Sequence, residues 1–284
     1  MLSYEAAARR VSNSCPCGTS IRGSCPVCGH PTALSLRAHP DGNANLTCWA
    51  CNAPMSELVR ALGQGEASDT PAPRLPVVSS EEKLDRVRAI WRASIPAQNT
   101  IVESYLGSTR GVAMSPGPAI RFNARAWHPN LKIELPAMVS AVTDVAGRGV
   151  ALHFTFLRLD GDRVVQIQDD PKIMYGPVAG NAVRFTGAAT DRIILAEGIE
   201  TALRAKQRAL ATGFDWTTWA CLSWTGIENC IVPDDIREVF IAADHDANGV
   251  GERAAVKKVA ELRARGIRAN WKMPAQAGRD YADD

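Results

Sequence analysis

The 284-residue sequence predicts an α/β fold preceded by a small metal-stapled module. Three observations carry that reading. Two Cys-x-x-Cys pairs, Cys25/Cys28 and Cys48/Cys51, stand near the N-terminus. A Pro-, Gly- and Ser-rich stretch follows them. Beyond Arg192, short apolar runs alternate with helix-patterned segments, the mark of a parallel sheet.

The first region, residues 1–62, is read as a zinc ribbon. A Cys-x-x-Cys turn offers two sulfurs to one ion, and two such turns complete a tetrahedral site. Nineteen residues separate Cys28 from Cys48, a zinc-site spacing. Within that interval Ala33–Arg37 and Asn45–Cys48 are expected to pair as a hairpin. Cys15 and Cys17 are read as a peripheral pair, as ligands of another ion or as unbound, with unbound preferred; His30 is read as a turn residue, and Cys221 and Cys230 as buried small residues. Residues 63–80 read as a semi-stiff linker.

A mixed α+β middle region, residues 81–190, comes next. Ser79-Ser80-Glu81-Glu82 begins a helix with a serine cap and acids in its first turn. Leu84, Val87, Ile90 and Trp91 recur at helical spacing. A short helix is expected over Thr100–Leu106. Strand-type runs then cover Ala119–Phe122, Ala137–Asp144, Gly149–Leu157 and Val164–Ile167, with turns at Asp144–Gly147 and Asp160–Asp162. The last region, residues 191–284, predicts strands Ile193–Ala196, Thr218–Ser223, Val239–Ala243 and Arg268–Lys272. Helices are expected over Ile199–Ala211 and Gly251–Arg265.

Composition narrows the possibilities. No apolar stretch approaches the ~20 residues of a membrane helix, and the N-terminus lacks a secretory signal's apolar core. Six of the eight cysteines fall between residues 15 and 51, in spacings that suit a metal rather than a disulfide framework. A reducing cytoplasm and no membrane partner are therefore expected. Net charge is only +2, but it is unevenly spread. Residues 81–185 carry thirteen basic and ten acidic side chains, and residues 186–284 carry thirteen and fifteen. Basic groups upstream of an acidic cation site suit a polyanion.

The acids define that candidate site. Glu197 follows the apolar run that starts at Arg192, and Asp244 and Asp246 follow the run that starts at Glu238. Functional groups in open α/β sheets gather beyond the strands' carboxyl ends. If the two strands are neighbours, ~4.8 Å apart, their carboxylates can share a hydrated magnesium that keeps positions for phosphates. The alternative is that each acid merely ends a strand and favours the helix after it. Asp244-His-Asp246-Ala-Asn-Gly249 also resembles the start of an EF-hand loop. That reading fails, because position twelve is Ala255 and a β-type run precedes it.

These residues resemble a known family. Leu195-Ala-Glu197-Gly198-Ile-Glu200-Thr looks like the first motif of the Toprim domain, and Ala242-Ala-Asp244-His-Asp246 looks like the second. A four-cysteine ribbon joined to Toprim resembles bacterial, phage and plasmid DNA primases. Pro171-Lys172-Ile-Met-Tyr resembles the Pro-Lys segment ahead of Toprim in replicative primases. Tyr105–Gly111 and Gly278–Asp283 resemble further segments of mobile-element primases, so the similarity spans nearly the whole chain.

The resemblance implies a nucleotidyltransferase, a DNA-directed RNA polymerase making short RNA primers on single-stranded DNA. It implies magnesium or manganese at Glu197, Asp244 and Asp246, with Asp280 a further acid, and zinc at Cys25, Cys28, Cys48 and Cys51. Lys172 would contact template or nucleotide phosphates, and Arg121 and Arg184 join it on charge alone. Ribonucleoside triphosphates and a separate replicative helicase are the implied partners. A Toprim nuclease and a noncatalytic DNA-binding accessory protein are the competing readings. Trp49 is expected to pack on the ribbon or to stack on template bases, with packing preferred.

Overall fold

Sixty-odd residues cannot bury enough apolar surface to stand easily alone, and the first part of the chain shows how it compensates. The computed structural model describes residues 2–17, 20–39, 42–51, 53–63, 80–244 and 249–274. It divides into two units, Met1–Ser80 and Glu81–Asp284. The linker residues 64–79 lie outside the described residues.

Helix α1 (Tyr4–Ala8) opens the first unit, capped by the Ser3 hydroxyl, which accepts from the Ala6 N–H. Four antiparallel strands follow in order β1-β2-β3-β4: β1 (Cys15–Cys17), β2 (Ser20–Gly23), β3 (Leu34–Ala38) and β4 (Ala44–Cys48). The expected hairpin is β3–β4, with Leu36 opposite Leu46 and Leu34 opposite Cys48. Helix α2 (Met55–Gly63) adds Leu58 and Leu62 to a core with Ile21, Leu34, Leu36 and Leu46. That apolar set is small.

The second unit begins with α3 (Ser80–Ala93), the two-residue β5 (Ile95–Pro96) and α4 (Ile101–Ser104), which runs on into a π-turn at Tyr105–Thr109. Six mainly antiparallel strands come next: β6 (Ile120–His128), β7 (Ile133–Thr143), β8 (Gly149–Asp160), β9 (Arg163–Gln166), β10 (Lys172–Tyr175) and β11 (Ala182–Phe185). The β7–β8 turn is set by Asp144, whose carboxylate accepts from the Ala146 and Arg148 N–H groups, and by Gly147 at φ 77°. Only glycine adopts that backbone readily.

The α/β part comprises β12 (Ala189–Ala196), α5 (Ile199–Ala211), β13 (Trp216–Ala220), α6 (Trp224–Asn229), β14 (Glu238–Ala242), α7 (Val250–Ala264) and β15 (Arg268–Lys272). Strands β13, β12, β14 and β15 are parallel neighbours in that order. The antiparallel part is not a separate layer. Strand β11 pairs with both β7 and β13, so one eleven-stranded sheet runs through the whole unit.

Strand β12 sits inside the parallel part, which explains its unbroken apolar run. Ile194 and Ala196 pack in a core with Leu203 of α5 and Met138, and Ile193 and Leu195 pack on the opposite side with Val259 and Leu262 of α7. The strand before Asp244 excludes the EF-hand arrangement, which needs a helix there.

No helix among the described residues is long and apolar enough to cross a membrane.

Candidate functional site

In the first unit, two turns and the end of β4 bring four sulfurs together. The Sγ atoms of Cys25, Cys28, Cys48 and Cys51 all lie within 4.8 Å of one another, with Cys25–Cys51 at 3.9 Å and Cys28–Cys48 at 3.8 Å. Sulfurs at ~2.3 Å from a tetrahedral zinc stand about 3.8 Å apart, so the four thiols fit that ion. Cys25 and Cys48 are buried while Cys28 and Cys51 face outward. Burial pushes the Cys25 thiol up to about 12, a penalty that a bound cation would relieve. Cys15 is exposed on β1 and outside this group, and His30 contributes its carbonyl to the Cys25 N–H, as a turn residue does. Trp49 is 56% exposed.

In the second unit, parallel pairing sets Ala196 opposite Ala242, so Glu197 and Asp244 leave adjacent strands at the same edge. Their backbones are held beyond the strands. The Leu222 N–H donates to the Glu197 carbonyl at 2.8 Å, and the Ala243 N–H to the Lys272 carbonyl at 2.9 Å. Leu222 itself has φ 71°, an uncommon backbone for leucine. Both residues line one cleft of about 180 Å³, together with Arg110, His153, Lys172 and the first turn of α5. Asp246 and Asp280 lie outside the described residues.

The cationic wall of that cleft is organised by a residue that the sequence reading passed over. Glu200 is 2% exposed, in the first turn of α5. Its Oε1 accepts from the Tyr105 hydroxyl at 2.8 Å and from Gln166 Nε2 at 3.2 Å, and its Oε2 from Lys172 Nζ at 3.3 Å. Gln166 Nε2 also donates to the Tyr105 oxygen at 2.5 Å. Burial alone would raise this carboxyl. The Lys172 charge, the residue's own N–H, the Tyr105 hydroxyl and Arg110 together bring it down to about 2. Tyr105 is raised by burial and by the anion beside it.

His153 is also new. It is 4% exposed, and burial together with nearby Lys172 lowers it to about 4, so it is neutral at pH 7. Among the described residues its Nδ1 has no hydrogen-bond partner, and neither do the buried hydroxyls of Ser140, directly opposite on β7, and Thr155, two residues along β8. Buried polar groups are normally satisfied, so this patch under the cleft has capacity for water or ligand.

Signals for both residues were present in the sequence. Glu200 interrupts the apolar stripe of α5, three residues before Leu203. His153 falls on the Ala151–His153–Thr155 parity of β8, opposite the alternate positions Leu152, Phe154 and Phe156.

Of the proposed basic residues, only Lys172 lines this cleft. Arg121 stacks on Trp91 and donates to the Trp91 and Ser94 carbonyls. Arg184 stacks on Trp219 and donates to the Thr143 carbonyl and hydroxyl. Both guanidiniums are engaged in holding the fold. A larger, open depression of about 480 Å³ between α6 and α7 is lined by Lys258 and Arg265, but these donate to carbonyls and carboxylates of the chain. Glu197 and Asp244 do not line it, so the smaller cleft is the functional candidate.

Comparison with known proteins bears on the second unit. Residues 192–284 match the family model of the Toprim domain, and residues 81–185 match a domain of unknown function, DUF7146. No curated protein matches the chain. Among solved structures, it is similar to a DNA primase domain from Pseudomonas aeruginosa, at 13% identity and TM-score 0.43, covering 71% of this chain and 73% of that one. It is similar to the primase fragment of the bacteriophage T7 primase-helicase protein, at 14% identity and TM-score 0.37, covering 92% of each. The RNA polymerase domain of Mycobacterium tuberculosis primase gives 13% identity and TM-score 0.43, covering 72% and 79%. These likenesses are loose, and the chemistry of the site rests on this chain's own residues. The C-terminal third of the chain, residues 192–284, is a Toprim domain.

Proposed function

We propose that the protein is a DNA primase, joining ribonucleotides into short primers on single-stranded DNA. One observation carries this reading: Glu197 and Asp244 leave adjacent parallel strands into the same cleft as Lys172 and Arg110. Two acids at one sheet edge fit a hydrated divalent cation, which takes few protein carboxylates. Glu197 and Asp244 would hold magnesium or manganese, with Asp246 and Asp280 as further ligands on sequence grounds. When bound, the ion neutralises charge developing on the transferred phosphate.

The remaining work falls to the chain. A 3′-hydroxyl attacks the α-phosphate of the incoming nucleotide and pyrophosphate leaves, so the site must orient a polyanion in line with a template. Lys172 and Arg110 attract the phosphates on the wall facing the acids. His153, neutral and with an open Nδ1, offers a hydrogen bond without adding charge. Cys25, Cys28, Cys48 and Cys51 would bind zinc and so form the ribbon, which grips single-stranded template through exposed Trp49 and Arg37. A separate replicative helicase is the proposed partner, and the cytoplasm the proposed setting.

Incubation with single-stranded DNA, labelled ribonucleotides and Mg²⁺ or Mn²⁺ tests the reading. Primers that vanish in Asp244→Ala are the expected result. Cutting of the DNA would establish a Toprim nuclease instead, and binding without chemistry an accessory protein.

A further inference from the structure

We infer that Glu200 is a positioning residue, the buried counter-charge that fixes Lys172 against the cleft and thereby sets its grip on a polyphosphate. The inference rests on reading the cleft as a nucleotide site. Glu200 is poorly suited to hold an ion itself. Tyr105 and Gln166 occupy one of its oxygens and Lys172 the other, and the side chain is closed to solvent.

Lys172 is different. Its side chain is 41% exposed and its ammonium reaches from this buried anchor to the open cleft. A half-exposed lysine on a flexible stem ordinarily samples many rotamers. Here the anchor is rigid, because its three donors come from three separate segments: the π-turn (Tyr105), β9 (Gln166) and β10 (Lys172). The first Toprim motif thus carries two acids with different duties, Glu197 facing the cleft and Glu200 locking the cation opposite it. Charge-assisted hydrogen bonds to a desolvated carboxylate are strong enough for that duty.

The test is a double-mutant cycle on the full chain, read as tripolyphosphate binding by calorimetry without divalent metal. Glu200→Gln keeps the size and an acceptor for Tyr105 but removes the charge. Glu200→Gln and Lys172→Ala should each weaken binding about tenfold, and the double variant no more than Lys172→Ala alone. Wild-type affinity in Glu200→Gln, multiplying losses in the double variant, or no uptake by the wild type would overturn the inference.

If Glu200→Gln does not fold, Tyr105→Phe removes one donor. It should weaken binding about threefold, an effect that disappears when Lys172 is already alanine; persistence of the loss there overturns the inference as well. Running primer synthesis on the wild type alongside separates the two ideas. A coupled cycle without primers sinks the polymerase reading and leaves Glu200 in its role. Primers with multiplying losses do the reverse.

Discussion

The two units of this chain are stabilised by different means. The first has one small apolar core and four converging thiols, and two of those thiols, Cys25 and Cys48, are themselves core residues. The second buries apolar residues on both sides of an eleven-stranded sheet and sets the buried Glu200 and His153 at one cleft. A small unit must borrow stability from a ligand, whereas a large one can afford buried charges such as Glu200 at its working site. The contrast predicts that the units respond differently to the same insults.

The largest difference is expected on metal removal. Structural zinc contributes on the order of 10 kcal/mol to folding in small cysteine modules. Chelation, or Cys48→Ser, should therefore melt the strand pairing of β1–β4 while β12–β15 stay protected in hydrogen exchange. A first unit that keeps its exchange protection after complete chelation would erase the distinction. Metal content measured on the same samples shows whether Cys48→Ser lost its zinc.

Next in size is the reverse experiment, in which activity disappears while the second unit survives. Main-chain hydrogen bonds hold the strand ends here, from the Leu222 N–H to the Glu197 carbonyl and from the Ala243 N–H to the Lys272 carbonyl, and neither uses an acidic side chain. Glu197→Ala and Asp244→Ala should each lower primer synthesis at least about a hundredfold with melting of the second unit nearly unchanged. Normal synthesis in either variant would dismiss the cleft as the active centre.

A third expectation concerns acid. His153 is lowered from the ordinary 6.5 to about 4 by burial and by Lys172, with Glu200 acting the other way. As pH falls below 6.5, the unfolded chain takes up the proton that the folded chain refuses. Stability is full above 6.5, drains away between 6.5 and about 4, and then stops responding to this group. The loss is on the order of 3 kcal/mol. His153→Gln should flatten the pH dependence of second-unit melting across that window. Parallel curves for the two proteins would mean that His153 is not the group responsible.

How much of this was readable in advance follows from periodicity and spacing. Strand Arg268–Lys272 and helix Ile199–Ala211 were placed to the residue, because a strand that alternates exposed and buried positions and a helix with apolar residues at helical spacing each have a plain pattern. The β3–β4 hairpin was readable because it lies between the two Cys-x-x-Cys pairs. The short α6 was not read, since six residues carry too little period to separate them from a loop. Joining of the middle region to the Toprim sheet was also invisible, because the β11–β13 pairing is long-range.

Glu197, Asp244 and Lys172 were picked out by motif, and the structure sets all three around one cleft. Glu200 and His153 were not, because their importance lies in burial and in partners supplied by distant segments. Arg121 and Arg184 were chosen by charge, and charge does not reveal that a guanidinium is already engaged by carbonyls.

The smallest effect returns to the first unit and separates its fold from its use. Trp49 lies between Cys48 and Cys51 of the four-cysteine cluster, and an exposed indole there contributes little to the core. An exposed aromatic face on the ribbon can stack an unpaired base, worth ~1–3 kcal/mol per base. Trp49→Ala should therefore leave zinc content and melting as in the wild type while weakening binding to a short single-stranded oligonucleotide by about tenfold. In the wild type, the same oligonucleotide should quench tryptophan fluorescence, and most of that quenching should vanish in the variant. If melting falls instead and affinity holds, the indole serves the ribbon's packing, and template contact must come from elsewhere on the chain.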